Sequence, residues 1–381
     1  MTAAAVRLDN TQTTLHSTRA ELRERRFDLR DDLRPISTHR RLQRCGRVRV
    51  QPAVGLRLTA GVAGYVGLET CGSVWVCPPC SARIMLRRGL ELAAGVDWWL
   101  SQGNRLLFGT STVRHHAGHS LPDSLAAVIY AWAAVTSGRY WTEEREQLGM
   151  LGFTRALEVL HNQRNGWHPH LHSLFFVGPE VGKLSAAGFE SSMFRRWSKG
   201  LQRKGFDALQ VGQKVEVVTQ ETAGQALARY LVKAPDSKRT TGEALGYEMT
   251  AAQSKSSRSI GRTHWELAQS AVDGNRADRL HWNNFEQATF RKRQLSWSKG
   301  LRAALALGVE QSDEEIAAEV LGTDADTVGS ITADGWTELL KHPGLSATLL
   351  TILEEKGWDA VTHVLNAFGI DYHTREQLSY E

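Results

Sequence analysis

Apolar and polar positions alternate along the middle of the chain in segments that predict strands and helices in turn. Residues 106–113 (LLFGTSTV), 151–160 (LGFTRALEVL) and 215–218 (VEVV) are short and rich in apolar and β-branched residues, so they predict strands. Residues 121–137, 184–204 and 221–233 carry apolar residues at helical spacing. This order predicts an α+β fold, with a central antiparallel sheet flanked by helices.

A turn sequence joins two of the predicted strands. Residues 168–177 (HPHLHSLFFV) become wholly apolar towards their end, and the segment NQRNGW separates them from residues 151–160. Two such segments around an Asn-Gly pair are typical of a β-hairpin. The apolar end of the second segment predicts a buried, central strand.

The composition divides the 381 residues into five predicted regions. Residues 1–40 form a polar, Arg-rich arm with a charged helix that stops before Pro35. Residues 41–98 hold every cysteine, and residues 99–240 hold the strands and helices described above. Residues 241–310 form a basic, Trp-containing extension, and residues 311–381 form an acidic helical region.

Charge is distributed unevenly between these regions. The net charge is +5, but residues 311–381 contain 14 acidic and 3 basic residues, so residues 1–310 carry +16. A basic body with an acidic tail favours a nucleic-acid partner, although a solvated surface without a particular partner is the alternative. No apolar run reaches the roughly 18 residues of a membrane span, and the N-terminus lacks the apolar core of a secretory signal. We therefore expect a cytoplasmic protein with no membrane partner.

The four cysteines, Cys45, Cys71, Cys77 and Cys80, lie within 36 residues. Four thiolates satisfy the tetrahedral preference of a structural zinc site, and a CxxC pair can direct two of them at one ion. The sequence therefore predicts a Zn²⁺ site here, with His39 as an alternative ligand to Cys45. A redox CxxC pair and unrelated buried thiols are the other interpretations.

Three histidines alternate at the start of the predicted central strand. Residues two apart on a strand face the same side, so His170 and His172 project together, and His168 has the same parity. Glu158, on the other arm of the predicted hairpin, can pair opposite them. Two imidazoles and a carboxylate form a site for Mg²⁺ or Mn²⁺ that leaves positions for a phosphate oxygen and water. The alternative is a surface histidine pair with a solvent-facing Glu158.

A tyrosine and a lysine share one face of the predicted helix at residues 221–233. Tyr230 and Lys233 are three residues apart, which makes them neighbours on a helix. A phenol ordinarily titrates near pH 10, so it is a weak nucleophile unless a nearby cation stabilises the phenolate. Taken alone, the pair is better explained as a half-buried tyrosine and a solvated lysine. Together with the upstream histidine pair, it favours a catalytic role.

Five segments in this order resemble those of the Rep initiators of small rolling-circle plasmids, a branch of the single-tyrosine HUH endonucleases. They are CGSVWVCPPCSARI, FGTSTVRH, GWHPHLHSLFFV, ARYLVK and FEQATFRKRQLSWSKGLR, and they span about residues 45–310. The resemblance implies the fold of that family, in which the histidine strand lies at the centre of the sheet and the tyrosine helix lies beside it.

The resemblance also implies an activity, the nicking and rejoining of DNA at a plasmid origin. Tyr230 would attack a phosphodiester of single-stranded origin DNA and form a 5′-phosphotyrosine, and the freed 3′-hydroxyl would prime synthesis. Glu158, His170 and His172 would hold the catalytic ion, and Lys233 would orient the phosphate or the phenolate. A host helicase and a DNA polymerase are the implied partners.

The chain departs from the family pattern one helical turn before the tyrosine. Related Reps often carry a glutamate there, which activates the terminating nucleophile, whereas this chain has Ala226 beside Gln225. Glu221 lies farther away and is only a weak candidate. The sequence therefore does not identify the base for termination.

Two basic clusters predict DNA contacts. Arg195, Arg196 and Lys199 lie on a predicted helix, and Arg291, Lys292 and Arg293 precede the SWSKGLR segment. Four tryptophans could stack on bases, but core packing is the better interpretation for most of them. These four are Trp197, Trp265, Trp282 and Trp297.

Three other functions remain open. An HUH transposase would share the chemistry. A non-catalytic, zinc-stabilised DNA-binding protein would explain the cysteines and the charge, but not HPHLH together with Tyr-x-x-Lys. A metallohydrolase that activates water with the histidines would leave Tyr230 dispensable.

Overall fold

The computed structural model describes residues 19–219, 261–319 and 322–378, and elements are numbered in chain order through these residues. The strands are β1 (Val54–Thr59), β2 (Val62–Val66), β3 (Arg105–Thr112), β4 (Gly152–Asn162), β5 (Gly166–Val177), β6 (Gln213–Val218), β7 (Arg262–Thr263), β8 (Leu295–Trp297), β9 (Thr327–Ile331) and β10 (Tyr372–Thr374). The helices are α1 (Arg19–Leu33), α2 (Arg40–Arg44), α3 (Pro78–Ser101), α4 (Leu121–Val135), α5 (Arg139–Gln147), α6 (Lys183–Gln202), α7 (His264–Val272), α8 (Arg276–Thr289), α9 (Leu301–Ala304), α10 (Asp313–Ala318), α11 (Ala333–Leu339), α12 (Leu345–Lys356), α13 (Trp358–Ala367) and α14 (Arg375–Leu378). The antiparallel sheets with helices beside them confirm the predicted α+β fold.

The chain divides into two compact units. One contains the described parts of Met1–Ile84 and Gln311–Glu381, and the other is Met85–Glu310. Residues 311–381 were predicted as a region of their own, whereas in the structure their strands join those of the N-terminal part. The boundaries of the five predicted regions stay predictions.

The first unit is built on a four-stranded antiparallel sheet in the order β10-β9-β1-β2. Leu56 on β1 and Ile331 on β9 are fully buried and pack with Trp336 in one apolar core. Arg57 donates a hydrogen bond of 3.1 Å to Thr327 Oγ1, 270 residues further along the chain. The two ends of the chain therefore share one sheet and one core.

The second unit is built on an antiparallel sheet in the order β6-β3-β5-β4-β7, with β8 also paired to β4. Strand β5 lies in the middle and is buried along almost its whole length, as its apolar sequence predicted. Strands β4 and β5 form the predicted hairpin, in which Asn162 pairs with Gly166. Gly166 has a φ of +77°, and a Cβ there would lie 2.9 Å from the Cα of Ala117, so this turn position requires glycine.

The sheet of the second unit has an apolar end and a polar end on one face. Leu106, Phe108, Leu174 and Phe176 lie at the apolar end and pack with buried residues of α3 and α9. Each fully buried side chain of this kind contributes roughly 1.5–3 kcal/mol, so this end holds the strands in register. The histidines of β5 continue the same face beyond the apolar residues, because they have the same parity.

Helices α4 and α6 agree with the predicted helices at 121–137 and 184–204 and cover the opposite face. The ring of Trp132 on α4 lies 6.1 Å from that of Phe175, and the ring of Phe189 on α6 lies 4.9 Å from it. Trp197 and Trp282 are fully buried, which confirms the core interpretation for these two tryptophans. No helix of the described residues is long and apolar enough to span a membrane.

We predict that a buried, neutral histidine makes Met85–Glu310 less stable in acid. His264 is 1% exposed and stacks on Phe285, and burial lowers its pKa to about 3. Because its unfolded pKa is about 6.5, the proton binds mainly after unfolding, and stability falls as the pH drops from about 6.5 towards 3. Between about pH 7.5 and 5.5, denaturant unfolding of His264→Gln should lose about 1.4 kcal/mol less than the native chain. His116→Gln, at an exposed site, is the control, and an unchanged pH dependence in His264→Gln would contradict the prediction.

Candidate metal centre on the central strand

The hairpin β4-β5 brings one carboxylate and two imidazoles together on one face of the sheet. Glu158 is the register partner of His170, and Ala156 is the register partner of His172. Because register partners face the same side, Glu158 projects beside both histidines. This is the juxtaposition that the sequence predicted from the Asn-Gly turn and the His-x-His spacing.

The three side chains meet at hydrogen-bond distance. His170 Nε2 lies 2.9 Å and His172 Nε2 lies 3.1 Å from the same oxygen, Glu158 Oε2. One ligand atom from each residue lies within 4.8 Å of the others, and all three residues are less than a tenth exposed. This donor set fits a divalent ion, because imidazole nitrogens and a carboxylate oxygen are both suitable ligands for Mn²⁺ and related ions.

The second nitrogen of each imidazole fixes the orientation of the ring. His170 Nδ1 lies 3.4 Å from the carbonyl oxygen of His168, which can only accept a hydrogen bond. In the neutral ring the proton therefore sits on Nδ1, and Nε2 keeps its lone pair for a cation. His172 Nδ1 lies 3.4 Å from Thr110 Oγ1, and the ring also stacks on Phe108. Thr110 belongs to the Thr-rich strand, but sequence analysis did not single it out, because its position opposite His172 depends on the register.

The electrostatics of the centre favour an ionised carboxylate. Burial opposes the charge on Glu158, but His170 and His172 hold the pKa of this carboxyl well below its usual range. The centre thus presents one negative charge, on Glu158, beside the imidazole nitrogens of His170 and His172. A charge of that sign favours binding of a cation.

Two further histidines lie beside the centre. The rings of His168 and His115 stack at 4.4 Å with an angle of 14° between their planes. The ring of His168 also lies 4.9 Å from that of His170. Burial, with smaller contributions from His170 and His115, lowers the pKa of His168 to about 3, so this ring is neutral near pH 7.

Strand β6 places a lysine on the same face. Thr110 pairs with His172 on one side and with Lys214 on the other, so these three residues lie in one row across the sheet. The Lys214 side chain is 60% exposed, and its Nζ lies 2.6 Å from Glu216. Sequence analysis did not name Lys214, because the pairing of VEVV with β3 could not be inferred from spacing alone.

The four cysteines form a second cluster, in the first unit. Cys45 follows α2, Cys71 follows β2, and Cys77 and Cys80 lie at the start of α3. All four are buried, and the Sγ–Sγ distances from Cys45 to Cys77, from Cys45 to Cys80 and from Cys71 to Cys80 are 3.6, 3.6 and 3.7 Å. A tetrahedral ion with Zn–S bonds of about 2.3 Å separates its sulfurs by roughly 3.8 Å, so the residues fit Zn²⁺. His39, the alternative ligand, is not a member of this group.

The predicted DNA contacts are distributed over two surfaces. Arg195 and Lys199 are exposed on α6, whereas Arg196 is mostly buried and forms an ion pair with Glu144. The second cluster follows α8 and is exposed; it consists of Arg291, Lys292 and Arg293. In this cluster, Arg291 lies over the ring of Phe290, and Arg293 lies 3.8 Å from Glu310. Their contacts with DNA remain predictions.

The predicted nucleophile lies outside the described residues. Tyr230 and Lys233 belong to residues 220–260, as do Glu221, Gln225 and Ala226. The described strands on either side of this stretch are β6 and β7, and both lie at edges of the sheet that carries the metal centre. The proximity of Tyr230 to the imidazoles therefore stays a prediction.

Comparison with known proteins links this chain to one family. The model of the family described as “Replication protein” matches residues 68–340. “Protein rep” from Streptomyces lividans is 27% identical over 361 aligned residues, which cover 75% of this chain and 76% of the relative. “Protein rep” from Lentilactobacillus hilgardii is 27% identical over 210 residues, which cover 51% of this chain and 62% of the relative.

Other matches are shorter or missing. “Neomycin resistance protein” from Streptomyces cyanogenus is 32% identical over 146 residues, which cover 32% of this chain and 33% of the relative. No solved structure matches the chain.

Proposed function

Because this chain belongs to the replication protein family, as its resemblance to plasmid Rep initiators predicted, we propose that it nicks and rejoins origin DNA to start rolling-circle replication. The observation that carries this proposal is the meeting of Glu158 on β4 with His170 and His172 on the central strand β5. A buried carboxylate and two buried imidazoles in the middle of this sheet have no evident packing role. A DNA-binding protein without catalysis would not need them.

The proposed chemistry is transfer of a phosphoryl group to a tyrosine. The Tyr230 oxygen attacks the scissile phosphorus, the Oη–P bond forms, and the P–O3′ bond breaks. The phenol loses its proton as the Oη–P bond forms, and the departing oxygen takes up one proton and becomes the 3′-hydroxyl that primes synthesis. Lys233 lies on the same predicted helix face and would stabilise the phenolate or the charge on the phosphate. Rejoining reverses these steps.

Glu158, His170 and His172 would hold the catalytic ion, Mg²⁺ or Mn²⁺. When bound, such an ion would supply Lewis acidity to the scissile phosphate. Glu158 stays ionised in the centre, and the hydrogen bond from His170 Nδ1 leaves the opposite nitrogen available as a ligand. These residues would therefore bind the ion and fix its position, and we assign no proton transfer to them.

Chain length is compatible with the proposed position of Tyr230. The residue lies twelve positions after Val218, the last residue of β6, and twelve residues span at most ~40 Å. Strand β6 is separated from the histidine strand only by β3, at about 4.8 Å per strand. The maximum reach of the chain therefore exceeds the distance across the two strands, which is consistent with the proposed position of Tyr230.

The cysteine cluster is proposed as a structural zinc site. Four sulfur ligands fill the tetrahedral shell and leave no position for a substrate. The cluster ties the loop after β2 to the start of α3, and it contributes stability and no chemistry to the nicking reaction.

The further partners we propose are a host helicase and a DNA polymerase. The polymerase would extend the primer.

A labelled-DNA assay tests the proposed function. The full-length protein is incubated with single-stranded DNA from the origin of its plasmid, together with Mn²⁺, Mg²⁺ or EDTA, and resolved on a denaturing gel. We expect a covalent adduct that carries a 3′-end label and needs the divalent ion, because the 5′-phosphate stays on the protein. Migration of a 5′-end label with the protein, or nicking without any adduct, would contradict the proposed reaction.

We predict that α6 contacts the DNA backbone through Arg195 and Lys199. The Arg195→Gln/Lys199→Gln variant should bind single-stranded DNA more weakly, and the slope of log K against log salt should decrease by about 0.7 for each lost phosphate contact. Lys183→Gln is the matched control, because Lys183 is exposed on the same helix. An equal effect of the control would assign the binding to general surface charge.

A further inference from the structure

Two arginines at the end of α1 are buried beside the cysteine cluster. Arg30 is 4% exposed and Arg34 is 8% exposed. Arginines are almost never buried to this extent without compensating charge. Sequence analysis assigned this segment to a polar arm, so its burial calls for an explanation within the first unit.

Both guanidinium groups contact the segment that begins with Cys45. Arg34 Nη2 donates a hydrogen bond of 2.6 Å to the carbonyl oxygen of Cys45. The Arg30 guanidinium lies against Gly46, where a Cβ would come within 2.3 Å of its Nη1. Gly46 has a φ of +61°, a conformation that favours glycine. The two arginines thus hold the backbone that presents the Cys45 thiolate.

The described residues leave this pair of cations short of negative charge. Asp31 is the acidic partner of both, at 2.7 Å from Arg30 Nε and 3.0 Å from Arg34 Nη2, and it is 42% exposed. Arg34 Nε is buried and has no hydrogen-bond partner among these residues. Arg47 adds a further positive charge near Arg34. One carboxylate therefore faces at least two buried guanidinium groups.

Four thiolates on a zinc ion supply the missing charge. Such a centre carries a net charge of −2, which equals the +2 that Arg30, Arg34 and Arg47 leave after Asp31 is counted. Charge, hydrogen bonding and burial all connect the end of α1 with the cysteine cluster.

We propose that Arg30 and Arg34 are positioning residues of a zinc tetrathiolate centre, which they neutralise and tie to helix α1. The proposal rests on the proposed zinc occupancy and is independent of the nicking reaction. A zinc ion in this centre then stabilises the N-terminal helix as well as the loops that carry the cysteines. Removal of a residue that contacts the metal ligands without binding the metal typically changes metal affinity by about 10–100-fold.

The test measures how fast zinc leaves the folded, full-length protein. Zinc transfer to the chromophoric chelator 4-(2-pyridylazo)resorcinol is followed for the native chain, Arg30→Met, Arg34→Met and Arg34→Lys. We expect about 10-fold faster transfer from each methionine variant. Arg34→Lys keeps the charge but not the planar group, so it should fall between the native chain and Arg34→Met. Arg25→Met, at an exposed position of the same helix, should release zinc at the native rate.

Each outcome decides between the alternatives. Native release rates in both methionine variants would overturn the proposal, as would an equal acceleration by Arg25→Met. Native protein without zinc would overturn the metal assignment itself, and the role of the arginines with it. If the methionine variants fail to fold, the rate of Arg34→Lys relative to the native chain decides.

Discussion

Replacing Tyr230 with phenylalanine will abolish the covalent adduct between this protein and origin DNA. The change removes one oxygen atom and keeps the ring, so the proposed nucleophile is lost with little change in side-chain volume. Loss of a covalent nucleophile costs on the order of 10³-fold or more in rate, since only binding and charge stabilisation remain. The adduct is measured on a denaturing gel with 3′-labelled single-stranded DNA and Mn²⁺.

Two controls make this experiment decisive. Tyr140→Phe removes the same atom from an exposed tyrosine at 74% exposure, and it should form the adduct at the native rate. An adduct that persists in Tyr230→Phe would assign the nucleophile to another residue. Nicking that continues in Tyr230→Phe, with no adduct in either protein, would favour a metallohydrolase that activates water.

The hairpin of the metal centre could be predicted because its signals are local. The Asn165–Gly166 pair marks the turn, and the spacing of His170 and His172 fixes their common face. The predicted hairpin allowed Glu158 to lie opposite the histidine pair, and the exact register, with Glu158 opposite His170, is given by the structure. No contact between distant parts of the chain is needed for this inference.

The first unit could not be predicted in the same way, because it depends on pairing across the chain. Strand β9 follows an acidic segment with helical spacing, and nothing local indicates that Ile331 pairs with Val54. The burial of Arg30 is also invisible in the sequence, where ELRERRFDLRDDLRP has the composition of a solvated helix. A cation is stable in such a position only when the fold supplies its counter-charge, and the source we propose for it is the cysteine cluster, whose members lie elsewhere in the sequence.

The second strong prediction concerns the three proposed ligands of the metal centre. The His170→Ala/His172→Ala variant removes both nitrogen ligands and should form no detectable adduct at any Mn²⁺ concentration. Glu158→Gln keeps the shape of the side chain but removes its charge. Removing a residue that supports a metal ligand typically lowers metal affinity by about 10–100-fold. Because Glu158 is itself a proposed ligand, Glu158→Gln should raise the Mn²⁺ concentration for half-maximal adduct formation by at least that factor.

The cysteine cluster supplies an internal control for the same variant. Its four sulfurs lie in the first unit, while His170 and His172 lie in the second, so the double variant should keep its zinc by metal analysis while losing the Mn²⁺-dependent reaction. His281→Ala removes a partly exposed imidazole whose ring lies 4.3 Å from that of His161, outside the centre, and it should leave the adduct unchanged. Native adduct yield from the double variant would show that the buried imidazole pair does not hold the catalytic ion. Loss of zinc as well would instead indicate a general folding defect in the double variant. Glu158→Gln would then carry the test, because that change creates no cavity. Its thermal unfolding would show whether it keeps the native fold.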